Sequence, residues 1–438
     1  MKQFLKSLIP HSWMNVYHYT LSVVAKIWYR NPSSKMIVIG VTGTNGKSST
    51  VNFIGRMLAS AGKKVGFAST VNFYINGKET INDKKMTMLG RFALQKFLAQ
   101  CRDAGCEYVV IETSSQGIVQ YRHAGINYDI VVFTNLTPEH IESHGGFENY
   151  KHAKGQLFKH LMQQPHKRIK GVEVQKIIVA NCDDEHSSYF LSFDADKKIG
   201  FTLTHAHSPA VDVMYQASNP IATTHNVAFD FEGTRFEANV LGMFNIYNLC
   251  ASLSVGFALG LSLDALKRAC LRVSGVPGRM ELINEGQDFV VVVDYAPEPA
   301  SLEAAYAALR VFGKNRIIHV LGSCGGGRDV ARRPILGAMA ASYADVVIVT
   351  NEDPYDDDPV EIMLQVSQGA QEKGKREGQD LFLIHDRKEA IQKAISLATT
   401  GDIVLITGKG CEVFIASKNN TKIPHDDREV AREALHTL

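Results

Sequence analysis

Between residues 36 and 60 the chain passes from an apolar run, Met36 to Val41, through Thr42-Gly43-Thr44-Asn45-Gly46-Lys47-Ser48 and into a helical pattern. Strand, glycine turn and helix start, in that order, constrain the fold more than any other stretch. They bring loop amides and the positive end of a helix to one point, which is a site for phosphate. Lys47 would neutralise the β- and γ-phosphates of a nucleotide, and Ser48 would reach a Mg²⁺. The spacing is a short variant, because Val41 stands where the usual first glycine would be and Gly43-x-x-Gly46-Lys47-Ser48 makes the turn. Gly43, Thr44, Asn45, Gly46, Lys47, Ser48 and Ser49 are therefore candidate cofactor-binding residues, and ATP or a relative of it is the expected ligand.

Apolar β-branched runs alternate with helical patterns along the rest of the chain, as in a parallel sheet. Strands are expected near 36–41, 108–112, 129–134 and 176–180, with an amphipathic helix over 148–162. Residues 199–240 read as a β-rich addition, closed by a helix that begins near Asn245. A second block has strands near 289–293, 315–321, 345–350, 380–384 and 402–407, separated by helices near 298–311, 330–342, 359–372 and 387–398. The fold class is α/β: a central P-loop ATPase domain with a parallel sheet, and a C-terminal Rossmann-like doubly wound domain. The expected divisions are a short helical segment over 1–35, the central domain over 36–277 and the C-terminal domain over 278–438. Gly275-Val-Pro-Gly-Arg279 serves as the linker.

A chain of 438 residues has room for two or three cores. A net charge of +2 gives no hint of a nucleic-acid partner. Seven cysteines without a C-x-x-C pair argue against a zinc ribbon or a disulfide framework and for reduced thiols, hence a cytoplasmic location. Pro10, His11, Asn15 and His18 break the apolar runs of the N-terminus, so neither a signal peptide nor a transmembrane segment is expected. An amphipathic helix near Tyr17–Tyr29, rich in Trp and Tyr, is expected to pack on the next domain rather than on a membrane surface.

Polar residues gather at predicted strand ends. Tyr108-Val-Val-Ile-Glu112 puts a carboxylate where a P-loop fold uses one for Mg²⁺, and Ile130-Val-Val-Phe-Thr-Asn135 is followed by Glu139 and His140. Because Mg²⁺ prefers oxygen ligands, a histidine there marks a specialised metal or phosphate site. Lys154 lies on the next helix, and residue chemistry alone does not separate it from other lysines.

Together these motifs resemble the Mur ligases, ATP-dependent amide-bond ligases of peptidoglycan synthesis, and most of all the branch that adds the third residue of the stem peptide. The resemblance spans 36–438. It includes Thr42-Gly-Thr-Asn-Gly-Lys-Ser48, Glu112-Thr-Ser-Ser-Gln-Gly117, Thr134-Asn-Leu-Thr-Pro-Glu-His140 and Tyr150-x-x-Ala-Lys154-x-x-Leu-Phe158. It continues through Leu241-Gly-Met-Phe-Asn245-x-Tyr-Asn248, Gly275-Val-Pro-Gly-Arg-Met-Glu281, Val293-Asp-Tyr-Ala296, Gly325-Gly-Gly-Arg-Asp329, Arg332-Arg-Pro334, Glu352-Asp-Pro354 and Gly408-Lys-Gly-Cys-Glu412. The resemblance implies catalytic roles for Lys47, Glu112, His140 and Lys154, with Ser48 and Glu112 on one Mg²⁺ and His140 and a carbamylated Lys154 on a second. It implies that Asn135 and Asn245 serve the nucleotide, Asn245 at the adenine, with Arg279 and Asp294 at phosphate and ribose. Thr113, Ser114, Ser115 and Arg122 would face an acidic nucleotide-sugar peptide. Arg328, Gly408 and Glu412 would hold the carboxylate and amine of the free amino acid.

Four departures shape the expectation. Only about 35 residues precede the P-loop strand, too few for a UDP-binding domain, so a partner protein supplying UDP-sugar recognition is one expectation and a lipid-linked or other peptide carboxylate is another. Diaminopimelate enzymes read Asp-Asn-Pro-Arg where this chain has Glu352-Asp353-Pro354-Tyr355. Losing that arginine removes a bidentate carboxylate partner, and Asp353 favours a distal amine such as that of lysine or ornithine. Pro297 and Cys411 each stand where the family has histidine. Cys411 reads as a reactive thiol or as a packed small residue. A catalytically silent nucleotide-binding protein remains the non-enzyme alternative.

Overall fold

The computed structural model describes residues 11–139, 144–327 and 330–438. Its first sheet has eleven strands. In chain order these are β1 (Ile37–Thr42), β2 (Val65–Ala68), β3 (Asn72–Ile75), β4 (Lys78–Ile81), β5 (Tyr108–Glu112) and β6 (Ile130–Phe133). After a separate hairpin of β7 (Lys167–Ile169) and β8 (Val172–Val174) come β9 (Ile177–Asn181), β10 (Lys197–Thr202), β11 (Val213–Ala222), β12 (Val227–Phe231) and β13 (Thr234–Ala238). Their spatial order is β13-β12-β11-β10-β9-β6-β1-β5-β2-β3-β4. The run from β11 to β2 is parallel, and antiparallel strands close both edges.

The centre of this sheet follows from the sequence of β1. Ile39 and Val41 enter one core with Leu249 and Leu253, whereas Val38 enters the opposite core with Val109, Val131 and Leu157. A strand apolar on both faces belongs in the middle of a sheet covered on both sides. Helices Lys47–Ser60 and Phe244–Ala258 cover one face, and helices Arg91–Asp103 and Phe147–Gln163 cover the other. The β-rich residues near 199–240 form β10–β13, which extend this sheet instead of standing apart.

The second sheet holds β14 (Glu281–Ile283), β15 (Val290–Val293), β16 (Ile317–Leu321), β17 (Val346–Thr350), β18 (Leu381–Ile384) and β19 (Ile403–Ile406), in the order β14-β15-β19-β16-β17-β18. Every pairing but β14–β15 is parallel. Helices Pro299–Leu309, Arg332–Tyr343 and Pro359–Glu372 cover one face, and helices Arg387–Leu397 and Asp427–Leu435 the other. A hairpin of β20 (Phe414–Ser417) and β21 (Thr421–Pro424) stands beside it. The N-terminal helix His11–Trp28 lies against the Arg91–Asp103 helix, and its Ser22 Oγ also donates to the Tyr121 carbonyl, after β5, at 2.5 Å. No helix among the described residues is long and apolar enough to cross a membrane.

Candidate active site

A cleft of about 800 Å³ opens between the carboxyl ends of the two parallel sheets, the place where open α/β sheets bind ligands. On the first-sheet side it is lined by the loop after β1 and by residues that follow β5, β6 and β9. On the other side Arg279, Asp294, Tyr295 and Glu412 line it.

The glycine loop is held from beneath. Asn135 Oδ1 accepts the Asn45 amide at 2.8 Å, the Asn135 carbonyl accepts the Thr44 amide at 2.8 Å, and Thr134 Oγ1 donates to the Asn45 carbonyl at 2.7 Å. Gly46 has φ +80° and starts the Lys47–Ser60 helix, and a Cβ there would run into the Asn248 side chain. Both the left-handed backbone and the close approach require glycine. The Lys47 ammonium folds back onto the Thr44 carbonyl at 2.6 Å.

Glu112 ends β5 almost fully buried, and its Oε2 accepts three donors: Ser48 Oγ at 2.9 Å, the Thr70 amide at 2.6 Å and Thr70 Oγ1 at 3.0 Å. Two hard oxygens, a hydroxyl and a carboxylate, therefore meet at the helix N-terminus, a donor set suited to Mg²⁺.

Lys154 is 1% exposed. Its Nζ donates to the Gly43 carbonyl at 2.6 Å and lies 4.4 Å from the Tyr150 ring centre, with no carboxylate within ion-pair distance among the described residues. Burial, and then the Lys47 ammonium, push its pKa well below the ordinary lysine value, against a weaker pull from Glu139 and Glu112. Both influences favour the neutral form of the amine under the phosphate loop.

The far side of the cleft is built differently. Lys409 Nζ donates to Asp353 Oδ1 at 2.9 Å and to Glu412 Oε2 at 2.5 Å. Burial works against its charge, but Glu412 and Asp353 outweigh it and raise the pKa. Lys85, from the loop after β4, reaches across from the other sheet and pairs with Asp353 Oδ2, and with Glu412 Oε2 at 3.2 Å. Its ammonium lies 5.5 Å from the Tyr355 ring centre and 5.2 Å from that of Phe414. Two carboxylates and two aromatic faces enclose one ammonium. Gly408, at φ +109°, lets the chain pass Glu352 where a Cβ would strike its carboxylate.

The sequence-predicted residues separate as follows. Gly43 to Ser49, Glu112, Asn135 and Lys154 converge on the loop, and Ser114, Ser115 and Arg122 line the neighbouring wall. Arg122 donates from Nη2 to Gln120 Oε1 at 2.7 Å and also to the Met88 carbonyl. Thr113 turns instead into the core, its hydroxyl on the Ile111 carbonyl at 3.2 Å. Asn245 lies behind Asn248, accepting its Nδ2 at 2.9 Å, so Asn248 meets the loop. Arg279 stacks 4.3 Å from the Tyr295 ring centre, and Asp294 accepts the Met280 and Ala296 amides at 2.6 and 2.9 Å. Burial raises the Asp294 pKa against the opposing Arg279 charge. Asp353 and Tyr355 meet Lys85, and with it Glu412, on the far side of the cleft. His140 and Arg328 lie outside the described residues. Cys411 is buried beside Arg279, and burial raises its thiol pKa, so it is a packed residue and not an exposed thiolate.

Sequence reasoning passed over Asn181, Asp183 and Lys85, and it named Tyr247, Asn248 and Lys409 within motifs without giving them a role. Asn181 and Asp183 carried the signal that found Glu112, a polar residue closing a buried strand. Lys85 carried none.

Residues 41–256 match the Mur ligase middle domain, and residues 278–410 match the Mur ligase glutamate ligase domain. The chain is 38% identical over 422 residues to the UDP-N-acetylmuramoyl-L-alanyl-D-glutamate–2,6-diaminopimelate ligase of Geobacillus thermodenitrificans, covering 95% of this chain and 82% of the relative. It is 38% identical over 430 residues to the UDP-N-acetylmuramyl-tripeptide synthetase of Treponema denticola, covering 95% and 79%. A solved UDP-N-acetylmuramoyl-L-alanyl-D-glutamate–2,6-diaminopimelate ligase superposes with TM-score 0.62 and 28% identity, over 96% of this chain and 83% of its own. Folylpolyglutamate synthase of Mycobacterium tuberculosis superposes with TM-score 0.68 over 90% and 93%, but at 17% identity it bears on the fold alone.

Proposed function

The chain belongs to the Mur ligase family of ATP-dependent, ADP-forming ligases, and from that premise we propose that it joins an amino acid with a distal ammonium to a muramyl peptide. The acceptor is UDP-N-acetylmuramoyl-L-alanyl-D-glutamate or a close relative of it, used in the cytoplasmic steps of peptidoglycan synthesis. The observation that carries the choice of amino acid is the enclosure around Lys85, where Asp353 and Glu412 already hold an alkylammonium across the cleft from the phosphate loop.

The loop amides and Lys47 bind and orient the triphosphate of ATP. Ser48 and Glu112 would hold one Mg²⁺, which would screen the charge that otherwise repels an incoming carboxylate. Lys154 is suited to carbamylation because burial favours its neutral amine: the nitrogen adds to CO₂ and loses a proton, and the resulting carbamate anion would offer a hard oxygen to a second ion, with His140 as the family implies. The acceptor carboxylate attacks the γ-phosphorus, ADP leaves, and an acyl phosphate forms. The amine of the amino acid, placed by the pocket around Asp353 and Glu412, then displaces phosphate to give the amide. The buried Glu112–Ser48 contact and the Asn135 clamp keep the loop preorganised for this sequence.

The test is to incubate the protein with ATP, Mg²⁺, UDP-N-acetylmuramoyl-L-alanyl-D-glutamate and a mixture of amino acids, and to read products by mass spectrometry. An acceptor heavier by one lysine or ornithine residue is expected. A diaminopimelate adduct alone would overturn the reading of the amine pocket, and intact ATP without adduct would overturn the acceptor.

A further inference from the structure

The N-terminal helix His11–Trp28 is only half used by the fold. Ser22 is buried and bonded to the Tyr121 carbonyl, Ala25 is buried, and Arg102 Nη1 donates to the Tyr29 carbonyl at 3.0 Å. The opposite side carries Trp13, Val16, Tyr17, Val24, Ile27 and Trp28 at helical spacing, on one stripe. Trp13 is 73%, Val16 65%, Ile27 70% and Trp28 74% exposed. A continuous apolar stripe of this size marks an interaction surface, not ordinary surface scatter.

Charge identifies what covers it. Residues 1–35 contain Lys2, Lys6, Lys26, Arg30 and Lys35 and no Asp or Glu, and the first acidic residue of the whole chain is Glu79. Arg30, two residues past Trp28, and Lys35, in the following turn, are both exposed. The neighbouring anion Asp103 is taken by Arg102 at 2.8 Å. Trp and Tyr rings combined with unopposed cations fit a bilayer interface, where the rings sit at headgroup depth and the cations meet anionic lipid. No described helix can cross a membrane, so the arrangement is a helix lying flat.

We infer that the exposed face of helix His11–Trp28 docks the enzyme on an anionic lipid bilayer. The inference rests on this face alone and is independent of the chemistry proposed for the cleft.

The chain has two tryptophans, Trp13 and Trp28, both on the stripe, so intrinsic fluorescence reports the face directly. The full chain is titrated with phosphatidylcholine vesicles, pure or with about one third phosphatidylglycerol, and the same mixtures are floated on a density gradient. A blue-shifted emission and co-flotation with the anionic vesicles, weakened by high salt, is the expected result. The Trp13→Ser/Trp28→Ser variant, read by flotation, should bind about tenfold less. Lys26→Glu/Arg30→Glu keeps both reporters and should lose the shift while retaining the parent's Tm, which separates lost docking from lost folding. Unshifted emission with the protein left at the bottom of the gradient would overturn the inference, as would equal binding to pure phosphatidylcholine. A concentration-dependent dimer in sedimentation that the tryptophan variant abolishes, without vesicle binding, would assign the face to a second copy and overturn it as well.

Discussion

Three buried lysines, in three parts of the molecule, differ mainly in how many carboxylates they touch. Lys154, under the phosphate loop, touches none among the described residues, and its pKa falls well below the ordinary value. Lys167 touches Asp129 at 2.5 Å but shares it with Lys176, and burial pushes its pKa down to about 8. Lys409, in the amine pocket, touches two carboxylates, and they raise its pKa in spite of burial. All three are at most 4% exposed, so burial alone does not set the charge; the local count of anions does. The nucleotide side thus favours an uncharged amine, and the far side holds a cation that organises two carboxylates.

The largest effect should come from removing the uncompensated lysine. Lys154→Ala is expected to lower amino-acid-dependent ADP release by about a thousandfold, the scale of losing a group that stabilises transferring phosphate. Added short carboxylates such as formate or acetate should restore part of it, because they supply the oxygen ligand the carbamate would have been. A fully active variant would show that Lys154 does nothing at the phosphates and would break the contrast with Lys409.

Asp353→Asn attacks the other end. It leaves Lys409 with Glu412 alone and strips Lys85 of one partner, so two cations share one buried carboxylate, the arrangement already seen around Asp129. Leaving charge unpaired in such a place costs about 3 kcal/mol, visible as a lower urea midpoint at unchanged m-value. The KM for the amino acid should rise about tenfold, through the loss of one charge-assisted contact. Unchanged stability and KM would mean that the carboxylate count does not govern this pocket.

Between these extremes, Lys167 offers a test by pH. Its folded pKa of about 8 lies below the unfolded value of 10.5, so between those two the unfolded chain binds more protons. Stability contributed by this group therefore rises as pH rises through that window, by up to about 3 kcal/mol, and its cost is fully present below it. Lys409 has the opposite sign: its raised pKa stabilises the fold below the unfolded value, and that contribution is lost only as the pH climbs past it. Urea melts of parent and Lys167→Met across the window should diverge, with the parent gaining more. Parallel curves would refute the graded series.

The same comparison explains what could be read from the sequence. The phosphate loop is contiguous, and Glu112 and Asn135 each close an apolar run, so strand periodicity alone carries them to one sheet edge. Thr113 failed because successive residues at a strand end face opposite sides, and the turn after Glu112 sends it to the core. Asn245 and Asn248 stand in one motif, and only the folded helix shows that Asn248 is the one against the loop. Strands β3 and β4 escaped because NFYI is a short, half-buried segment opening on a polar residue, and KETI is fully exposed with a single apolar residue. The amine pocket was legible only in part. Asp353 and Glu412 were visible as motif residues, but the lysine that fills their pocket comes from a polar loop 268 positions away from Asp353. No local pattern encodes a contact that exists only once both sheets have formed.

That lysine yields the smallest and most discriminating prediction. Lys85 sits where a substrate ammonium would sit, so an incoming amino acid must displace it, and its apparent affinity is reduced by the fraction of molecules in which Lys85 is seated. Lys85→Ala should therefore lower the KM for the amino acid, by about threefold to tenfold, with kcat nearly unchanged, since the residue leaves before chemistry begins. The loss of one cation from between Asp353 and Glu412 makes the pocket more negative, which favours a dibasic amino acid over a neutral one of similar length. Steady-state kinetics with lysine, ornithine and norleucine separates the two effects: competition lowers KM for all three, and charge widens the gap between the first two and the third. A KM that rises for lysine would instead make Lys85 part of the bound state, a cation that helps hold the amino acid's carboxylate, and the amine pocket would then resemble the nucleotide side more than its opposite.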